Sequence, residues 1–513
     1  MNLNTGKILR WGCAAFIIYL LACCLFPPLL RTKPNSSSAL VPDETSYFNS
    51  ISESGLTGIS LGTDQSERVL CIDDNSDALL WRLRVIESAQ NELILSTFNF
   101  CDDNSGLDFM AALKGAADRG VQIKILVDGL YGFLALENSN HFQSLISLPA
   151  VEAKLYNPVK LSCAWTGNYR LHDKYLIADN SVYILGGRNI GDLFLGDYDE
   201  NANIDRDVLV YEAFPGQGLQ HSSESNLTIA DTSDSAAAEI HSVSAAADAP
   251  SSLTQLREYF DAIWNLTSNK TLSNKQSSRQ TEKGILALDS HYESMRSIFP
   301  EAFTEPDWTA STLPANKILL CTNPIEPENK VPTLWNSLCS FMAASENVII
   351  QTPYVMLDKQ MYSDLSAVAA KGTQVTLMTN AVETGANPWG CSDYQNQKNN
   401  ILGTGVNICE YPGTQSVHTK TLLLDDNISV IGSYNMDMRS TYLDTEMMLI
   451  IDCPALNQML KENTAGMAAI SRLVHSDGTV EYGEYYVEPE YGIFKKGLYT
   501  VIRVVCPFIR HLL

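Results

Sequence analysis

Two stretches of the chain repeat one order of amphipathic and apolar runs. In the first stretch, apolar positions at helical spacing occupy "DALLWRLRVIESAQ" and "LDFMAALKGAADRG", and an apolar run follows each of them, "NELILSTFNF" and "VQIKILVDG". Apolar residues at i, i+3, i+4 and i+7 are typical of a helix with one buried face, and short apolar runs are typical of buried strands. Gly120 closes the second helical run, as a C-capping glycine does. The stretch therefore predicts an α/β unit.

The second half of the chain shows the same alternation. Its runs read, in order, as helix, strand, helix, strand and strand: "TLWNSLCSFMAASE", "NVIIQTPYV", "DKQMYSDLSAVAAKG", "TQVTLMTN" and "VNICEYPG". Thr97 corresponds to Thr352, and His172 corresponds to His418, so the two halves run nearly in register. A repeat of this kind indicates an internal duplication. Alternating strands and helices predict an α/β fold in which helices cover the sheets.

Length and local composition divide the chain further. A chain of 513 residues is too long for one ordinary core. Two segments, rich in small polar residues and poor in large apolar ones, are predicted to be a linker and a disordered insertion. The predicted segments are 1–33 (membrane anchor or signal), 34–66 (linker), 67–215 (first half), 216–252 (insertion), 253–455 (second half) and 456–513 (C-terminal extension).

The N-terminal segment carries a targeting signal. Lys7 and Arg10 precede the apolar run 11–30, and about 20 apolar residues are enough to span a bilayer as a helix. Pro27 and Pro28 would break its last turn, which leaves a cleaved signal peptide as the alternative. We expect a single-pass anchor in the cell membrane. Basic residues flank both ends of the run, so the sequence does not assign the side of the membrane.

The charge and the cysteines of the chain limit the classes of partner and cofactor that we expect. The chain has 59 acidic and 35 basic side chains and a net charge of −24. Nucleic-acid affinity comes largely from basic side chains that neutralise phosphates, so this balance disfavours nucleic acid as a partner. The 12 cysteines contain no C-x-x-C pair, which predicts no metal site and leaves the redox compartment open.

A short cassette occurs once in each half and carries the chemistry. It reads "LHDKYLIADNSVYILGGRN" at 171–189 and "VHTKTLLLDDNISVIGSYN" at 417–435. Residues two apart on a strand point the same way, so each histidine shares a face with the lysine that follows it. The turn-forming Asp and Asn residues after each pair predict a hairpin. The matching positions are His172 and His418, Lys174 and Lys420, Asp179 and Asp425, Gly187 and Ser433, and Asn189 and Asn435.

The predicted hairpins assign a place to each of these residues. Asp179 and Asp425 fall at the turns, where we expect them to brace the hairpin more than to touch substrate. The returning strands bring the small residues and the asparagines back beside the His-Lys face, where small side chains allow an anion to approach the backbone. Two imidazoles, two ammonium groups and two amides suit displacement at a phosphodiester without a metal ion or another cofactor.

The duplicated motif H-x-K-x(4)-D-x(6)-G-[GS]-x-N resembles that of the phospholipase D superfamily. This resemblance implies two α/β/α halves packed as a pseudo-dimer around one active site. It also implies a phosphohistidine intermediate, with His172 as the nucleophile, His418 as the general acid, and the lysines and aspartates of the motif as further catalytic residues. "GGRNIGDLFLGD" and "GSYNMDMRSTYLDTEM" are similar to the motifs of bacterial cardiolipin synthases.

Departures from that pattern concern substrate choice. Leu193 and Phe194 stand where those synthases commonly have Glu and Tyr, and Asp444 stands where Asn is usual. Asp207 and Glu446 are predicted as carboxylates that each orient one histidine through its second ring nitrogen, with an exposed surface role as the alternative.

The last segment, 493–513, contains four basic and no acidic side chains. Lys496, Arg503 and Arg510 are seven residues apart, which predicts a basic stripe along a helix. Such helices lie on anionic lipid surfaces. The alternative is a terminal helix docked on the protein core with its basic side chains in water.

The resulting hypothesis is a membrane-bound phosphatidyltransferase resembling cardiolipin synthases, acting on phosphatidylglycerol or a similar phospholipid. Two alternatives stay open: a hydrolytic phospholipase D or nuclease, and a catalytically inactive membrane scaffold.

Overall fold

The computed structural model describes residues 14–16, 18–19, 22–23, 66–213, 250–328 and 330–513. The predicted linker and insertion lie almost wholly outside these residues, as does most of the predicted membrane segment. The described positions of that segment are helical. Within the described part of the chain, no helix combines the length and the hydropathy needed to cross a bilayer.

A first nine-stranded sheet is built mainly by the first half. Its strands are β1 (Glu67–Ile72), β2 (Glu92–Thr97), β3 (Gln122–Asp128), β4 (Val151–Tyr156), β5 (Tyr175–Ala178), β6 (Val182–Gly186), β7 (Asp207–Glu212), β8 (Lys270–Thr271) and β9 (Leu313–Pro314). Their order in the sheet is β8-β4-β3-β2-β5-β6-β7-β1-β9.

A second nine-stranded sheet follows in the chain. Its strands are β10 (Lys317–Thr322), β11 (Asn347–Gln351), β12 (Gln374–Asn380), β13 (Asn407–Tyr411), β14 (Thr421–Leu424), β15 (Ile428–Gly432), β16 (Met447–Asp452), β17 (Arg472–Val474) and β18 (Val480–Tyr482). The order β10-β16-β15-β14-β11-β12-β13-β17-β18 contains the same seven-strand arrangement as the first sheet. The duplication predicted from the sequence is therefore present in the topology.

Helices cover the sheets. They are α1 (Asn75–Ser88), α2 (Asn104–Asp118), α3 (Tyr131–Ala135), α4 (Asn140–Leu145), α5 (Ser252–Trp264), α6 (Ser278–Ile298), α7 (Trp308–Ser311), α8 (Thr333–Ala343), α9 (Lys359–Ala370), α10 (Pro388–Leu402), α11 (Met438–Tyr442), α12 (Pro454–Ala468) and α13 (Ile493–Ile509). Short 3₁₀ helices occupy Leu161–Asn168, Pro300–Phe303 and Arg510–Leu512.

Even the helix caps are repeated between the halves. Helix α2 begins after Asp103, whose carboxylate accepts a backbone N–H of the first turn, and α9 begins in the same way after Asp358. Each helix is followed by a glycine with positive φ, Gly120 at +93° and Gly372 at +99°. Glycine adopts this left-handed conformation without a steric penalty, so both helices end where the sequence predicts.

Alternating side chains of the central strands pack into separate hydrophobic cores. On β11, Val348 and Ile350 join the core beneath the outer helices of the second half, while Ile349 points to a core between the two sheets. This middle core combines residues of both halves, such as Ile177 and Leu449, with the buried faces of α5 and α12. The two halves therefore pack through a shared core, as a pseudo-dimer does.

The sheets divide the chain at a different place from the predicted boundaries. Strands β8 and β9 lie beyond residue 252 yet pair with the first sheet. Strands β17 and β18 lie beyond residue 455 yet belong to the second. These short edge strands carry too little apolar pattern to be assigned from sequence.

Candidate active site

Both cassettes form the predicted hairpins. In the first, β5 pairs antiparallel with β6, and in the second, β14 pairs antiparallel with β15. His172 and Lys174 lie just before β5, and His418 and Lys420 lie just before β14. The two His-Lys pairs therefore enter their sheets at equivalent points.

Backbone contacts bring these two points together. Leu171 forms an isolated parallel bridge with Thr445, and Ile204 forms the matching bridge with Val417. The His172 amide donates to the Thr445 hydroxyl at 3.1 Å, and the His418 amide donates to the Ile204 carbonyl at 2.7 Å. Each cassette is thus joined to a segment of the opposite half.

Each histidine is paired with a carboxylate from the other half. The Nδ1 atom of His172 lies 2.8 Å from Glu446 Oε1, and the Nδ1 atom of His418 lies 2.5 Å from Asp205 Oδ2. Both carboxylate side chains are fully buried. A bond to Nδ1 fixes the ring and leaves Nε2 for chemistry. Because the pairs cross between halves, neither half contains a complete site.

The prediction that Asp207 orients a histidine is wrong, because Asp205 takes that place. Asp207 Oδ2 instead pairs with the buried guanidinium groups of Arg82 at 2.9 Å and Arg188 at 3.1 Å. Register explains the difference. Gly186 pairs with Asp207, and Gly432 pairs with Met448, so the residue two positions earlier is Asp205 in one half and Glu446 in the other. Only this pairing, which the sequence does not show, singles out Asp205.

The Gly187 and Ser433 positions differ because their carboxylate neighbours differ. A Cβ atom on Gly187 would lie 2.2 Å from Asp205 Oδ1, so the aspartate occupies the space that a side chain would need. Ser433 donates its hydroxyl to Glu446 Oε2 at 2.5 Å. Gly187 therefore leaves room for Asp205, and Ser433 holds Glu446 in place. The substrate contacts expected of both residues stay a prediction.

The two lysines bring positive charge beside the imidazoles. Lys174 donates to the carbonyl of His172 at 2.5 Å, and Lys420 lies 2.6 Å from His418 Nδ1 and 3.9 Å from Asp205. Burial lowers the pKa of Lys174 to about 7 and that of Lys420 to about 8. The charge of Lys420 contributes to lowering the pKa values of Lys174 and His172, and the charge of Lys174 contributes to lowering the pKa of His418. Such coupling is expected when these groups share one site.

The two carboxylates differ in their ionisation. Burial raises the pKa of Glu446 to about 8, against the opposing charge of Lys174. Burial also disfavours the ionised form of Asp205, but the charges of Lys420 and His418 hold the pKa of this carboxyl well below its usual range. His418 therefore faces a permanent anion, whereas the partner of His172 titrates near neutral pH.

Burial also keeps both imidazoles neutral in the free site. Together with the charge of Lys174, it lowers the pKa of His172 well below the usual range. Burial and the charge of Lys420 lower the pKa of His418 to about 4. A neutral imidazole has a free ring nitrogen, which a nucleophile requires.

The two asparagines complete the polar surface. Asn189 Oδ1 accepts the backbone N–H of Asn99 at 3.3 Å, and Asn435 Oδ1 is buried without a hydrogen-bond partner. Both side chains are almost wholly buried. Each asparagine lies three residues beyond the end of its returning strand, whose last glycine donates its N–H to the carbonyl of the cassette lysine.

The aspartates of the motif lie away from the histidines. Asp179 and Asp425 sit at the hairpin turns with φ of 52° and 45°. The Asp179 carboxylate accepts the backbone N–H groups of Gln90, Asn91 and Glu92 at 2.8–2.9 Å, and Asp425 accepts two equivalent N–H groups. Five residue steps through the strand β5 separate Asp179 from Lys174, a span of about 16 Å at the usual rise. This geometry braces the hairpin and gives neither aspartate a contact with the histidines.

Aromatic rings line both imidazoles, which the motif alone does not reveal. Phe98 lies 5.0 Å from the His172 ring, and Tyr131 packs on Phe98 at 4.3 Å. Phe194 and Tyr354 lie 5.3 and 6.3 Å from the His418 ring. Phe194, one of the sequence departures, thus places a ring without a hydroxyl against the second histidine.

Asp444, which stands where cardiolipin synthases usually have Asn, is held by polar contacts next to the site. Its carboxylate pairs with Arg439 at 2.9 Å and accepts the backbone N–H of Arg170 at 3.3 Å. Leu193 is about half exposed at the surface next to Phe194. These two positions therefore shape the surroundings of the site.

Comparison with known proteins agrees with this architecture. The family model described as "Cardiolipin synthase, PLD-like domain" matches residues 83–213 and 338–467, together just over half of the chain. Each matched region contains one complete cassette.

Individual relatives match most of the chain. Cardiolipin synthase C of Escherichia coli K12 is 24% identical over 429 residues, which cover 76% of this chain and 82% of that protein. A cardiolipin synthase of Clostridium perfringens strain SM101 is 26% identical over 480 residues, which cover 87% and 83%. The crystal structure of a phosphatidylserine synthase from Haemophilus influenzae superposes with a TM-score of 0.56 at 12% identity, covering 91% of this chain and all of that one, and so shares the fold.

Proposed function

This chain belongs to the family of cardiolipin synthase, PLD-like domains, and we propose that it is a membrane-associated phosphatidyltransferase acting on phosphatidylglycerol or a similar phospholipid. The observation that carries the proposal is the crossed pairing of His172 with Glu446 and of His418 with Asp205. Two oriented imidazoles in one buried site supply a nucleophile and an acid. The synthase relatives indicate the substrate class.

The first half-reaction forms a phosphohistidine. The anionic phosphodiester, together with Asp205, favours protonation of His418 in the substrate complex. His172 Nε2 then attacks phosphorus, the bond from phosphorus to the leaving oxygen breaks, and the leaving alkoxide takes the Nε2 proton of His418. Lys174, Lys420 and the asparagine amides stabilise the charge on the non-bridging oxygens. In the second half-reaction, an acceptor hydroxyl gives its proton to His418 and attacks phosphorus, which releases His172.

The unequal carboxylates support this order of roles. The anion of Asp205 stabilises a protonated His418, which an acid must be when the leaving oxygen departs. Glu446 titrates near neutral pH and gives His172 less tendency to hold a second proton. A neutral His172 is the better nucleophile.

The surroundings of the site favour a lipid over a nucleic acid. Phenyl and phenol rings lie against both imidazoles. In the chain, Phe133 and Leu134 follow Tyr131 closely and Leu193 precedes Phe194, and these three side chains are 47–64% exposed. A net charge of −24 repels a polyanion, whereas an uncharged acyl or glycerol group packs on such a surface. The predicted membrane anchor at 11–30 would keep the enzyme at its substrate.

A product assay tests the proposal. Purified full-length protein in detergent receives phosphatidylglycerol labelled in its headgroup glycerol and, separately, in its acyl chains. We expect labelled cardiolipin and an equal amount of released glycerol. Phosphatidic acid as the sole lipid product would show a hydrolase and overturn the transferase proposal, and cleavage of single-stranded DNA without lipid turnover would show a nuclease.

A substrate with an activated leaving group tests the roles of the two histidines. Because p-nitrophenolate leaves without a proton, His418→Ala should still release it once per site and accumulate the phosphoenzyme. His172→Ala should release none. The reverse result would exchange the two assignments.

A further inference from the structure

The C-terminal helix α13 presents three distinct faces. Successive residues of a helix are about 100° apart, so residues three, four and seven apart share a face. Tyr499, Ile502 and Cys506 form the face that is buried against the protein. Lys496, Thr500 and Arg503 form a polar face. The third face is apolar and exposed, and consists of Phe494 (96% exposed), Leu498 (54%), Val501 (65%), Val504 (68%), Val505 (40%) and Phe508 (76%).

Polar contacts fix the orientation of this helix. Lys495 donates to the carbonyls of Glu383 and Gly385 at 2.9 and 3.0 Å. At the other end, Arg510 forms two bonds of 2.7 and 2.8 Å to the buried carboxylate of Asp393. Both ends are therefore tied to the second half, and the apolar face cannot turn inward without breaking these bonds.

The docked helix combines features of both interpretations of this segment. It is docked on the protein core, as one interpretation predicted, and its basic residues form a stripe, as the other predicted. The stripe borders the outward face of the helix, and this outward face is apolar. Contiguous exposed apolar surface of this kind is rare on soluble monomers and marks a docking site.

A short series of contacts connects the buried face of α13 with the second histidine. Cys506 Sγ lies 3.7 Å from the carbonyl of Trp389, whose side chain is 38% exposed. A Cβ atom on the next residue, Gly390, would lie 2.9 Å from the ring of Tyr354, and that ring borders His418. Helix α13 is thus linked through Trp389 and Gly390 to the ring that borders His418.

Charge identifies the chemistry of the covering partner. The segment 493–513 contains no acidic residue, in a chain whose net charge is −24. Lys496 and Arg503 lie beside the apolar face and are exposed. An apolar face bordered by basic side chains matches the acyl boundary and the anionic headgroups of a bilayer surface.

We propose that the apolar face of α13, together with Trp389, docks on an anionic lipid bilayer and so sets the mouth of the active site at the level of the lipid headgroups. The docking itself follows from the exposed surface, whereas its benefit for catalysis rests on the proposed function. The bilayer contact is separate from the predicted N-terminal anchor and orients the enzyme rather than merely tethering it.

Photolabelling tests the docking independently of activity. Full-length protein is reconstituted in vesicles of phosphatidylcholine and phosphatidylglycerol that contain a lipid-soluble diazirine, and labelled residues are mapped by mass spectrometry. We expect labels on Phe494, Leu498, Val501, Val504 and Phe508, and none on Thr500. Labels confined to the N-terminal segment would overturn the proposal. So would protection of the same face by a second copy, detected as chain-to-chain cross-links through α13.

A matched pair of variants tests the consequence for catalysis. Val501→Glu places a charge in the apolar face, and Thr500→Glu places the same charge on the adjacent polar face. With phosphatidylglycerol in vesicles, we expect kcat/KM to fall about ten-fold for Val501→Glu and to stay within about two-fold for Thr500→Glu. With short-chain monomeric phosphatidylglycerol, both should equal the parent. An equal loss of kcat/KM on monomers and on vesicles would show a structural defect and contradict docking. Inactivity of the parent on both substrates would refute the proposed function, but it would leave the photolabelling result valid.

Discussion

Asp205 and Asp207 differ in role although only Arg206 separates them. Asp205 is bound to His418 of the opposite half, whereas Asp207 is enclosed by Arg82 and Arg188 of its own half. In the proposed mechanism, Asp205 therefore serves catalysis, whereas Asp207 stabilises the fold around it.

Substitution of each aspartate by asparagine should separate these roles. Asp205→Asn removes the anion that stabilises a protonated His418, so we expect kcat to fall about a hundred-fold or more, with little change in the melting temperature. The measurement is kcat on short-chain phosphatidylglycerol beside thermal unfolding. Asp207→Asn is the control: it leaves two buried guanidinium groups short of a partner and should cost about 3–5 kcal/mol of stability. Equal loss of activity at equal stability in both variants would contradict the assignment.

In the proposed mechanism, the lysines set the alkaline limit of activity. Lys174 and Lys420 neutralise the phosphodiester only when they are protonated, and burial lowers their pKa values to about 7 and about 8. The protonated forms persist at low pH, so kcat/KM should decline as the pH rises through about 7 to 8. A bound phosphodiester favours the ammonium form, so the decline in kcat should appear at higher pH.

Profiles of kcat/KM and kcat against pH measure both limits, since the first reports the free enzyme and the second the substrate complex. Lys371→Gln changes an exposed lysine of the outer helices and should leave both profiles unaltered. A kcat/KM that stays constant to pH 10 would show that the buried lysines keep ordinary pKa values.

At the level of elements, the geometry of the hairpin turn explains why the motif contains an aspartate. Asp179 has a positive φ and accepts three backbone N–H groups of the loop before β2. It therefore holds together two strands, and the His-Lys pair at the far end of β5 benefits only through their alignment.

Asp179→Ala should accordingly reduce stability more than catalysis. The loss of hydrogen bonds to a charged acceptor costs about 1.5–3 kcal/mol, and alanine tolerates positive φ poorly. Asp179→Asn keeps an acceptor oxygen and suits the left-handed conformation, so it should recover part of the loss. Thermal unfolding and kcat per folded molecule are the measurements. A large fall in kcat with an unchanged melting temperature would instead place Asp179 in the chemistry.

Long periodic elements were predictable from sequence, and elements defined by distant contacts were not. Helices α1, α2, α8 and α9 and strands β2, β3, β11 and β12 agree with their apolar patterns because each buries one face locally. The outward apolar face of α13 could not be foreseen, because bonds from Lys495 and Arg510 to residues over 100 positions away determine which side is buried. Asp205 was missed for the same reason, since the register of β6 and β7 identifies it.

At the level of the whole molecule, the crossed pairs make the duplication functional. A duplicated unit could have kept two separate sites, each with a histidine and its own carboxylate. Instead, His172 pairs with Glu446 and His418 pairs with Asp205, so both halves contribute to the position of each histidine. The cassette repeat alone predicted two matching sets of residues. The crossed pairs and the isolated bridges between the halves join these sets into one site.

Single substitutions of the two histidines distinguish a shared site from two independent ones. If each half acted alone, His172→Ala and His418→Ala would each retain about half of the activity with natural phosphatidylglycerol. In a shared site that needs both nucleophile and acid, each should lose at least about a thousand-fold. His141→Ala controls for loss of an imidazole, because His141 lies partly exposed beside Asp102 and should keep full activity. An equal mixture of the two inactive variants should also stay inactive, because each chain forms both His–carboxylate pairs within itself. Recovery of activity on mixing would show that halves are exchanged between chains.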